Sequence, residues 1–311
     1  MTRYYPHTSL LIALCLMLFS CEEAIDFEVN QEQRLVVVSN FLDQKVLEVF
    51  VSKTKDVLSN EAFSYLTDAT VMVFSGNELL EVLELITGDD GRPPFYRTTQ
   101  LTPQSGTVYT IKVSVPGFEP VTATSSVPMA VPIQSVDFSN TSNEDSNHDV
   151  AVNFNVVVDF QDPPGEKNYY HLVFYQELTS YLLNSEGDTL LGNRFLNTPL
   201  SVQSSDPNMP AIKYFDNRSF LLKDDTFDGQ HMSLPFKGNY TYSLASSIPG
   251  NFFIELRTVT EDYYLYHSTL TRQVNSGNPL SNGVVIYDNI VNGEGIFAGY
   301  SSNTNSFSLG N

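Results

Sequence analysis

Cysteine is almost absent from this chain. Its 311 residues include two cysteines, Cys15 and Cys21, and both lie near the N-terminus. The rest of the chain therefore has no thiol for a disulfide, a zinc-thiolate site or a cysteine nucleophile. Without such cross-links a hydrophobic core has to stabilise the fold, and 41% hydrophobic residues over this length can supply one.

Positive charge is also scarce. Lys and Arg together number 16 against 36 Asp and Glu, which gives a formal net charge of −20. Residues 1–20 contain a single charged side chain, Arg3, so removing them would change −20 to −21. A surface of this sign repels nucleic acid and anionic lipid, and we exclude nucleic-acid binding as a function.

The N-terminal residues have the features of an export signal. Arg3 precedes an apolar run of about 11 residues at 9–19, which is too short to cross a bilayer of roughly 30 Å as a helix. A charged start, a short apolar run and a small residue before the cut are typical of a secretory signal. Because the small residue precedes a cysteine, Leu18-Phe19-Ser20-Cys21 resembles the bacterial lipoprotein lipobox. The resemblance implies a signal peptide at 1–20 and a lipid on Cys21; an ordinary signal with a coincidental cysteine is the alternative.

An acidic cluster follows this cysteine and is formed by Glu22, Glu23, Asp26 and Glu28. In lipoproteins of the Bacteroidota such a cluster resembles the signal for export to the outer face of the outer membrane. We therefore expect residues 21–32 to be a lipid anchor and linker, with the protein anchored to the outer membrane and exposed at the cell surface. The alternative is a solvated acidic linker on the periplasmic leaflet.

From residue 33 onward the sequence predicts a mainly β fold of two antiparallel sandwiches. Short strand patterns recur about every 8–12 residues with turn residues between them. The stretch from Gly106 to Val113 resembles the transthyretin-like or carboxypeptidase-regulatory sandwiches, with Tyr109, Ile111 and Val113 on the core side. Two prolines, Pro128 and Pro132, mark the boundary between a domain at 33–128 and a second at 133–311.

Two parts of the second domain depart from the strand pattern. Thr260 is a candidate N-cap for one helix at 261–274. Residues 178–218 are the least regular, and we expect long loops or a decorated hairpin there that contacts a partner. Within them Asp188-Thr189-Leu190 resembles the Bacteroidota O-glycosylation site, with Thr189 as the acceptor.

No motif predicts catalysis, a cofactor or a metal. The histidines after residue 21 lack metal-ligand spacing, and no serine lies in a G-x-S-x-G elbow. Gly293 to Ala298 formally fits G-x-G-x-x-A, but too few residues follow for a dinucleotide fold, so we interpret it as close backbone packing at a strand end. Asp224 to Gly229 begins like a calcium loop but has Pro235 where a bidentate Glu is required, which favours a tight turn.

Several stretches together resemble one family of Bacteroidota lipoproteins, domain of unknown function four-two-four-nine. They are the lipobox and its acids, Ile25-Asp26-Phe27, Leu35-Val36-Val37, Asp68-Ala69-Thr70-Val71, Gly106-Thr107-Val108-Tyr109, Phe227-Asp228-Gly229-Gln230, Tyr263-Tyr264-Leu265-Tyr266 and the segment from Asn289 to Tyr300. The resemblance implies an accessory surface lipoprotein encoded beside a TonB-dependent outer-membrane receptor, and it supplies no catalytic residue.

We therefore expect a non-enzymatic accessory or ligand-capture component of a TonB-dependent receptor system. Its partners would be the outer membrane, through the lipid, and the receptor. One alternative is a structural or adhesive envelope lipoprotein. Another is a surface hydrolase using paired carboxylates, which the abundance of acids leaves open.

Overall fold

The structure is a computed structural model that describes residues 33–55, 64–88, 91–183, 189–195, 200–276 and 283–308. The strands are β1 (Leu35–Leu42), β2 (Glu48–Lys53), β3 (Thr70–Ser75), β4 (Glu78–Val82), β5 (Glu84–Ile86), β6 (Phe95–Arg97), β7 (Val108–Ser114), β8 (Val121–Ser126), β9 (Ile133–Glu144), β10 (Asp149–Gln161), β11 (Tyr169–Leu183), β12 (Thr189–Phe195), β13 (Leu200–Ser204), β14 (Ala211–Lys213), β15 (Ser219–Lys223), β16 (His231–Ser243), β17 (Ser247–Val259) and β18 (Glu294–Ser308). Within these ranges there is one α-helix, α1 (Glu261–Asn275).

Three sheets make up the described part of the chain. The largest has ten strands in the order β14-β15-β11-β17-β18-β1-β2-β6-β5, and β12 adds to it by pairing with β11. Two smaller sheets have four strands each, in the orders β4-β3-β7-β8 and β13-β16-β10-β9. The pairings are antiparallel except for β1 with β18, which run parallel. The predicted mainly β fold with one helix is confirmed.

The two smaller sheets cover the same face of the ten-stranded sheet. Phe297 of β18 belongs to the core shared with β3, β7 and β8, whereas Phe307 packs against the core shared with β10 and β16. Both residues have the same parity in one strand, so they point to the same face. Ile296 and Ala298, of opposite parity, pack against α1. The large sheet is therefore one layer of both sandwiches. The sheet β4-β3-β7-β8 completes the first sandwich and the sheet β13-β16-β10-β9 the second, while the helix lies on the other face of the large sheet.

Strand alternation positions these cores. In β7, Tyr109, Ile111 and Val113 are buried, as predicted, while Val108 and Lys112 are exposed. β11 is a central strand, because β17 flanks one edge and β15 and β12 divide the other.

The predicted boundary at 128–133 packs closely against the large sheet. Val127 and Val131 are buried, and the backbone N–H of Val131 donates to Thr258 Oγ1 of β17 at 2.9 Å. The C-terminal strand β18 also pairs with β1, so residues outside 33–128 complete the first core. The division into independent domains at 33–128 and 133–311 stays a prediction.

The helix begins where the sequence predicts. Thr260 Oγ1 accepts the backbone N–H of Tyr263, and Glu261 and Asp262 occupy the first turn, where acidic side chains favour the helix dipole. In the described ranges no helix is both long and apolar enough to cross a membrane.

Gly293 and Gly295 explain the segment that formally fits a dinucleotide motif. Gly295 has φ +114°, and a Cβ there would lie 2.1 Å from the carbonyl oxygen of Val37. A Cβ at Gly293 would lie 2.9 Å from the carbonyl oxygen of Leu35. The interpretation as close backbone packing at a strand end is confirmed, because these glycines let β18 enter beside β1.

Candidate functional site

An open groove of about 540 Å³ lies at the end of the second sandwich. Its walls are the ends of the strand pairs β9–β10 and β11–β12 and the turn that joins β16 to β17. Its lining residues are Ser142, Glu144, Val150, Tyr181, Leu183, Thr189, Tyr242, Leu244, Ser247, Ile248 and Pro249. Tyr181 ties two of the walls together: its backbone N–H donates to Ser246 O at 2.8 Å, and its hydroxyl donates to Leu244 O. The lining of the groove is divided about equally between polar and apolar surface, with one carboxylate, that of Glu144, among its residues.

One wall of this groove carries four exposed leucines, which we call the leucine hairpin. Leu182 and Leu183 end β11, and Leu190 and Leu191 belong to β12. Their exposed fractions are 73%, 62%, 55% and 69%. Leu182 lies directly opposite Leu190 in the antiparallel pair. Both faces of the hairpin are therefore apolar, which is the opposite of what solubility alone favours.

The apolar surface continues onto the neighbouring turn. Leu244 is 36% exposed and Ile248 is 43% exposed, and both line the groove beside the leucine hairpin. Contiguous exposed apolar side chains of this kind mark interaction surfaces, whereas single exposed leucines are ordinary.

The leucine hairpin lies at the end of the large sheet opposite to the start of β1. Leu42 pairs with Tyr300, Tyr300 with Val259, and Val259 with Tyr169, so β11 begins at the level where β1 ends. Both strands run in the same direction. From Leu35 the path covers 7 steps along β1 and 14 along β11, which at about 3.3 Å each amounts to about 70 Å of strand length.

Three carboxylates converge elsewhere, at Asp162, Asp224 and Asp228, with ligand oxygens within 4.8 Å of one another. The protein already bonds each of them. Asp162 accepts the Tyr170 hydroxyl and the Gly229 N–H (2.8 Å); Asp224 accepts the Asn168 N–H (2.7 Å), and Asp228 the Gly165 N–H (2.8 Å). Burial raises the pKa of Asp162 above its ordinary value, and the negative charges of Asp224 and Asp228 act in the same direction.

This carboxylate cluster fixes a chain reversal. Residues 224–229 form the turn between β15 and β16, as the sequence predicts. The contribution of Asp162 was not predicted, because it lies about 60 residues earlier and only the tertiary fold brings it to the turn. The hydrogen bonds account for all three side chains, and we assign no cation to them.

A buried polar network lies between α1 and the large sheet. His171 Nδ1 is 2.9 Å from the Tyr263 hydroxyl, and its Nε2 is 2.8 Å from Ser219 Oγ. Ser219 Oγ in turn donates to Asp216. Ser219 is 0% exposed and His171 is 4% exposed, so a substrate has no access to this serine–histidine contact. We interpret it as a structural hydrogen bond.

Burial also controls the charge of both histidines in this network. Desolvation, reinforced by the positive charge of Arg257, holds the pKa of His171 well below its ordinary value and lowers that of His267 to about 3. His267 Nδ1 is 2.9 Å from the Tyr214 hydroxyl. Both rings are therefore neutral near pH 7 and act as uncharged hydrogen-bonding groups.

The structure covers only part of the residues singled out in the sequence. Cys21 and the acids Glu22, Glu23, Asp26 and Glu28 lie outside the described residues, so the lipid and export assignments stay predictions. Thr189 is described: it is the first residue of β12, it is exposed, and it lines the groove. Its glycosylation stays a prediction.

The expected irregular region at 178–218 contains a decorated hairpin. The end of β11 pairs with β12, and β13 and β14 then join different sheets. The leucines were not singled out beforehand. The repeated Leu-Leu pairs at 182–183 and 190–191, on either side of the turn-rich sequence Asn-Ser-Glu-Gly-Asp, were the available signal.

Comparison with known protein families gives a match over most of the chain. A family described as Domain of unknown function (DUF4249) matches residues 22–306. No curated protein matches.

Proposed function

The chain belongs to the DUF4249 family, a domain of unknown function, and we propose that it is a surface-exposed outer-membrane lipoprotein of the Bacteroidota that serves a TonB-dependent receptor as a non-enzymatic accessory or ligand-capture component. The lipobox ending at Cys21 and the four acids after it support the location. The family match begins at residue 22, directly after the candidate lipid site, which supports a mature protein that begins at Cys21.

The observation that carries the accessory role is the leucine hairpin. Four leucines between 55% and 73% exposed, beside Leu244 and Ile248, form an apolar surface that the described chain does not cover. Burying apolar area is worth about 25 cal/mol per Å², so a partner that covers this surface gains affinity from it. A hairpin that projects beyond its sheet can enter a recess on such a partner.

The net charge of −20 favours a protein partner over an anionic leaflet for the leucine hairpin, because it repels anionic lipid. The leucine hairpin lies about 70 Å of strand length from Leu35, and the linker from residue 22 to 34 adds at most about 45 Å when fully extended. The tether allows a range of orientations and keeps the apolar end close to other proteins of the same membrane. Such tethering raises the effective concentration of two partners without adding contacts.

The deciding experiment is affinity purification of the tagged, lipidated protein from its own outer membrane after crosslinking, followed by mass spectrometry. We expect a TonB-dependent barrel in stoichiometric amount. Replacing Leu182 and Leu190 by serine should reduce its recovery at least about tenfold, the effect of 1.4 kcal/mol lost from binding. Replacing the comparably exposed Leu79 and Val82 of β4 by serine is the matched control and should leave recovery unchanged.

Point substitutions test the role of the leucine hairpin more specifically than deletion of 178–218 does. That deletion would also remove the buried residues Leu178, Leu200 and Val202 and would damage the core. A lipoprotein recovered without any receptor, before and after substitution, contradicts the accessory role. It would favour the structural or adhesive alternative, or the surface hydrolase.

The anchor and the modification are tested by intact mass. Wild-type protein from the outer membrane should carry the mass of lipid on Cys21, and Cys21→Ser should lose that mass and leave the membrane fraction. A further increment that Thr189→Ala removes would assign glycosylation to Thr189. Unmodified mass at both sites contradicts both assignments.

A further inference from the structure

A second concave site lies on the solvent face of the sheet β13-β16-β10-β9, separate from the groove at the strand ends. It is a depression of about 230 Å³. The polar side chains that surround it, which we call the amide frame, are Asn153, Asn155, Ser201, Gln203, Lys237 and Asn239. They come from three adjacent strands, β10, β13 and β16, whose backbones are hydrogen-bonded to one another.

The amide frame is two parallel rows set by strand register. Asn239 pairs with Asn153 on one side and Ser201 on the other, and Lys237 pairs in the same way with Asn155 and Gln203. Between these rows the side chains turn inward. Gly238 lies opposite Phe154. Any other residue at this position would place its Cβ 2.4 Å from the Phe154 ring, so the position has no side chain and the floor of the depression is flat backbone.

None of the six side chains of the amide frame hydrogen-bonds to any other part of the chain that the structure describes. By contrast, Ser135 Oγ donates to Asp159 at 2.6 Å further along the same face. Asparagine is among the residues depleted in strands, because its side chain competes for backbone hydrogen bonds. Asn153, Asn155 and Asn239 occupy central strands without an internal hydrogen bond that offsets their low strand propensity, so their amides are available to a ligand from solvent.

Charge narrows the chemistry of that partner. Lys237 is the one charged residue lining the depression, and no carboxylate of the described residues lies within ion-pair distance of it. The chain as a whole is acidic, with 36 acids and 16 basic residues. The depression therefore presents one positive charge among neutral amides on an acidic protein.

These groups match a ligand with hydroxyls and one anionic substituent. Each amide offers two donors and one acceptor oxygen, which suits hydroxyls that both donate and accept, and the lysine ammonium donates to a carboxylate. The volume is below the roughly 300–1,000 Å³ of drug-sized sites, so a single ring fits. The ring of Phe154 is buried beneath the floor and is not available for stacking.

We propose that the amide frame binds a hydroxyl-rich ligand that carries one carboxylate, as in a uronic-acid unit of a saccharide. Asn153 and Asn239 bind hydroxyls and Lys237 binds the carboxylate. Because recognition uses hydrogen bonds at an open surface without stacking, the affinity is in the millimolar range, roughly 1 mM or weaker. The assignment does not rest on association with a receptor.

The test is saturation-transfer NMR on the full mature chain, with glucuronic acid, glucose and acetate as probes. We expect glucuronic acid to bind about fivefold or more tightly than glucose or acetate, since it alone supplies both hydroxyls and a carboxylate. Lys237→Met should lower its affinity to that of glucose. Asn153→Ala with Asn239→Ala should weaken both sugars, because the hydroxyl contacts are lost.

Lys112→Met is the matched control, because Lys112 is also an exposed lysine in a central strand position, in β7 of the other sandwich. It should leave every affinity unchanged. The substituted side chains all point to solvent, so circular dichroism and the urea midpoint should match wild type. No transfer from either sugar, or equal glucuronic acid binding by wild type and Lys237→Met, would overturn the proposal.

Discussion

At the scale of single residues, the fold depends on backbone contacts that admit no side chain and on polar groups kept neutral. Gly295 lets β18 approach β1 so closely that a Cβ would lie 2.1 Å from Val37 O. His171 of β11 and His267 of α1 are buried and hydrogen-bonded between the helix and the large sheet, and both remain uncharged near pH 7. Both features stabilise the fold, and neither is accessible to a substrate.

Gly295→Ala should destabilise the protein by about 3 kcal/mol or more, because φ +114° is unfavourable for alanine and the new Cβ meets backbone that cannot move independently. Urea unfolding followed by circular dichroism measures the change. Gly283→Ala is the control, with no atom within 4 Å of its Cβ, and should stay within about 0.5 kcal/mol of wild type. Equal effects of the two substitutions would contradict this account of β18.

Stability should fall as the pH falls below about 6.5. The unfolded chain takes up a proton on His267 near pH 6.5, whereas the folded pKa is about 3, so the contribution is full above pH 6.5 and declines down to pH 3. At pH 5 the loss for this histidine is about 2 kcal/mol, at 1.36 kcal/mol per pH unit.

Urea unfolding at pH 7 and pH 5 tests this through a comparison of variants. His267→Phe lowers stability at pH 7 by removing the bond to Tyr214, but it should show about 2 kcal/mol less loss between the two pH values than wild type. Ser268→Ala removes a buried hydrogen bond from the same helix without removing a titratable group, and it should show the same loss as wild type. An identical loss for His267→Phe and wild type would show that His267 does not titrate as described.

At the scale of elements, the candidate binding surfaces lie where strands extend beyond their neighbours or present a face to solvent. β11 is a buried central strand over its first half, and its last residues extend beyond β17 into the leucine hairpin. β10 and β16 bury one face and present the amide frame on the other. The helix α1 covers the reverse face of the large sheet, and Thr260 fixes where it starts.

Thr260→Ala should cost about 1 kcal/mol, because the first turn of α1 loses the side chain that accepts the Tyr263 N–H. Urea unfolding is the measurement. Thr260→Asp keeps an acceptor at the cap and should restore stability to near that of wild type. If alanine and aspartate gave the same result, the cap would not contribute.

At the scale of the whole molecule, one sheet joins the two sandwiches. β18 enters between β1 and β17, with Phe297 in the first core and Phe307 against the second. The ring of Phe297 stacks on Phe41 with centroids 4.5 Å apart. The first core therefore requires residues from the far end of the sequence.

A fragment of residues 33–128 should not unfold cooperatively, since β1 would lack its parallel partner and the core would lack Ile290 and Phe297. Joining 289–308 to it through a flexible linker should restore a cooperative transition. Urea unfolding by circular dichroism compares both with the full chain. A cooperative transition in the short fragment would instead establish 33–128 as an independent domain.

The sequence by itself determined the local structure. Alternation predicts the buried face of β7, Thr260 predicts the start of α1, and the apolar run of β11 predicts a central strand, because each depends on neighbours within a few residues. It also supplied the family resemblance, which the match over 22–306 confirms. Three lining residues of the groove, Tyr181, Leu183 and Thr189, fall in the region 178–218 that the sequence marks as irregular, and the other eight lie outside it.

Only the tertiary structure decided which distant residues meet. The parallel pairing of β1 with β18, seen in the contact of Arg34 with Glu294 across 260 positions, leaves no periodic trace in either segment. The same holds for Asp162 with Asp224 and for the two rows of the amide frame. These contacts depend on strand register between segments that are far apart in the sequence. Forming them closes long loops, and the entropic cost of closure is offset only by the packing of the whole fold.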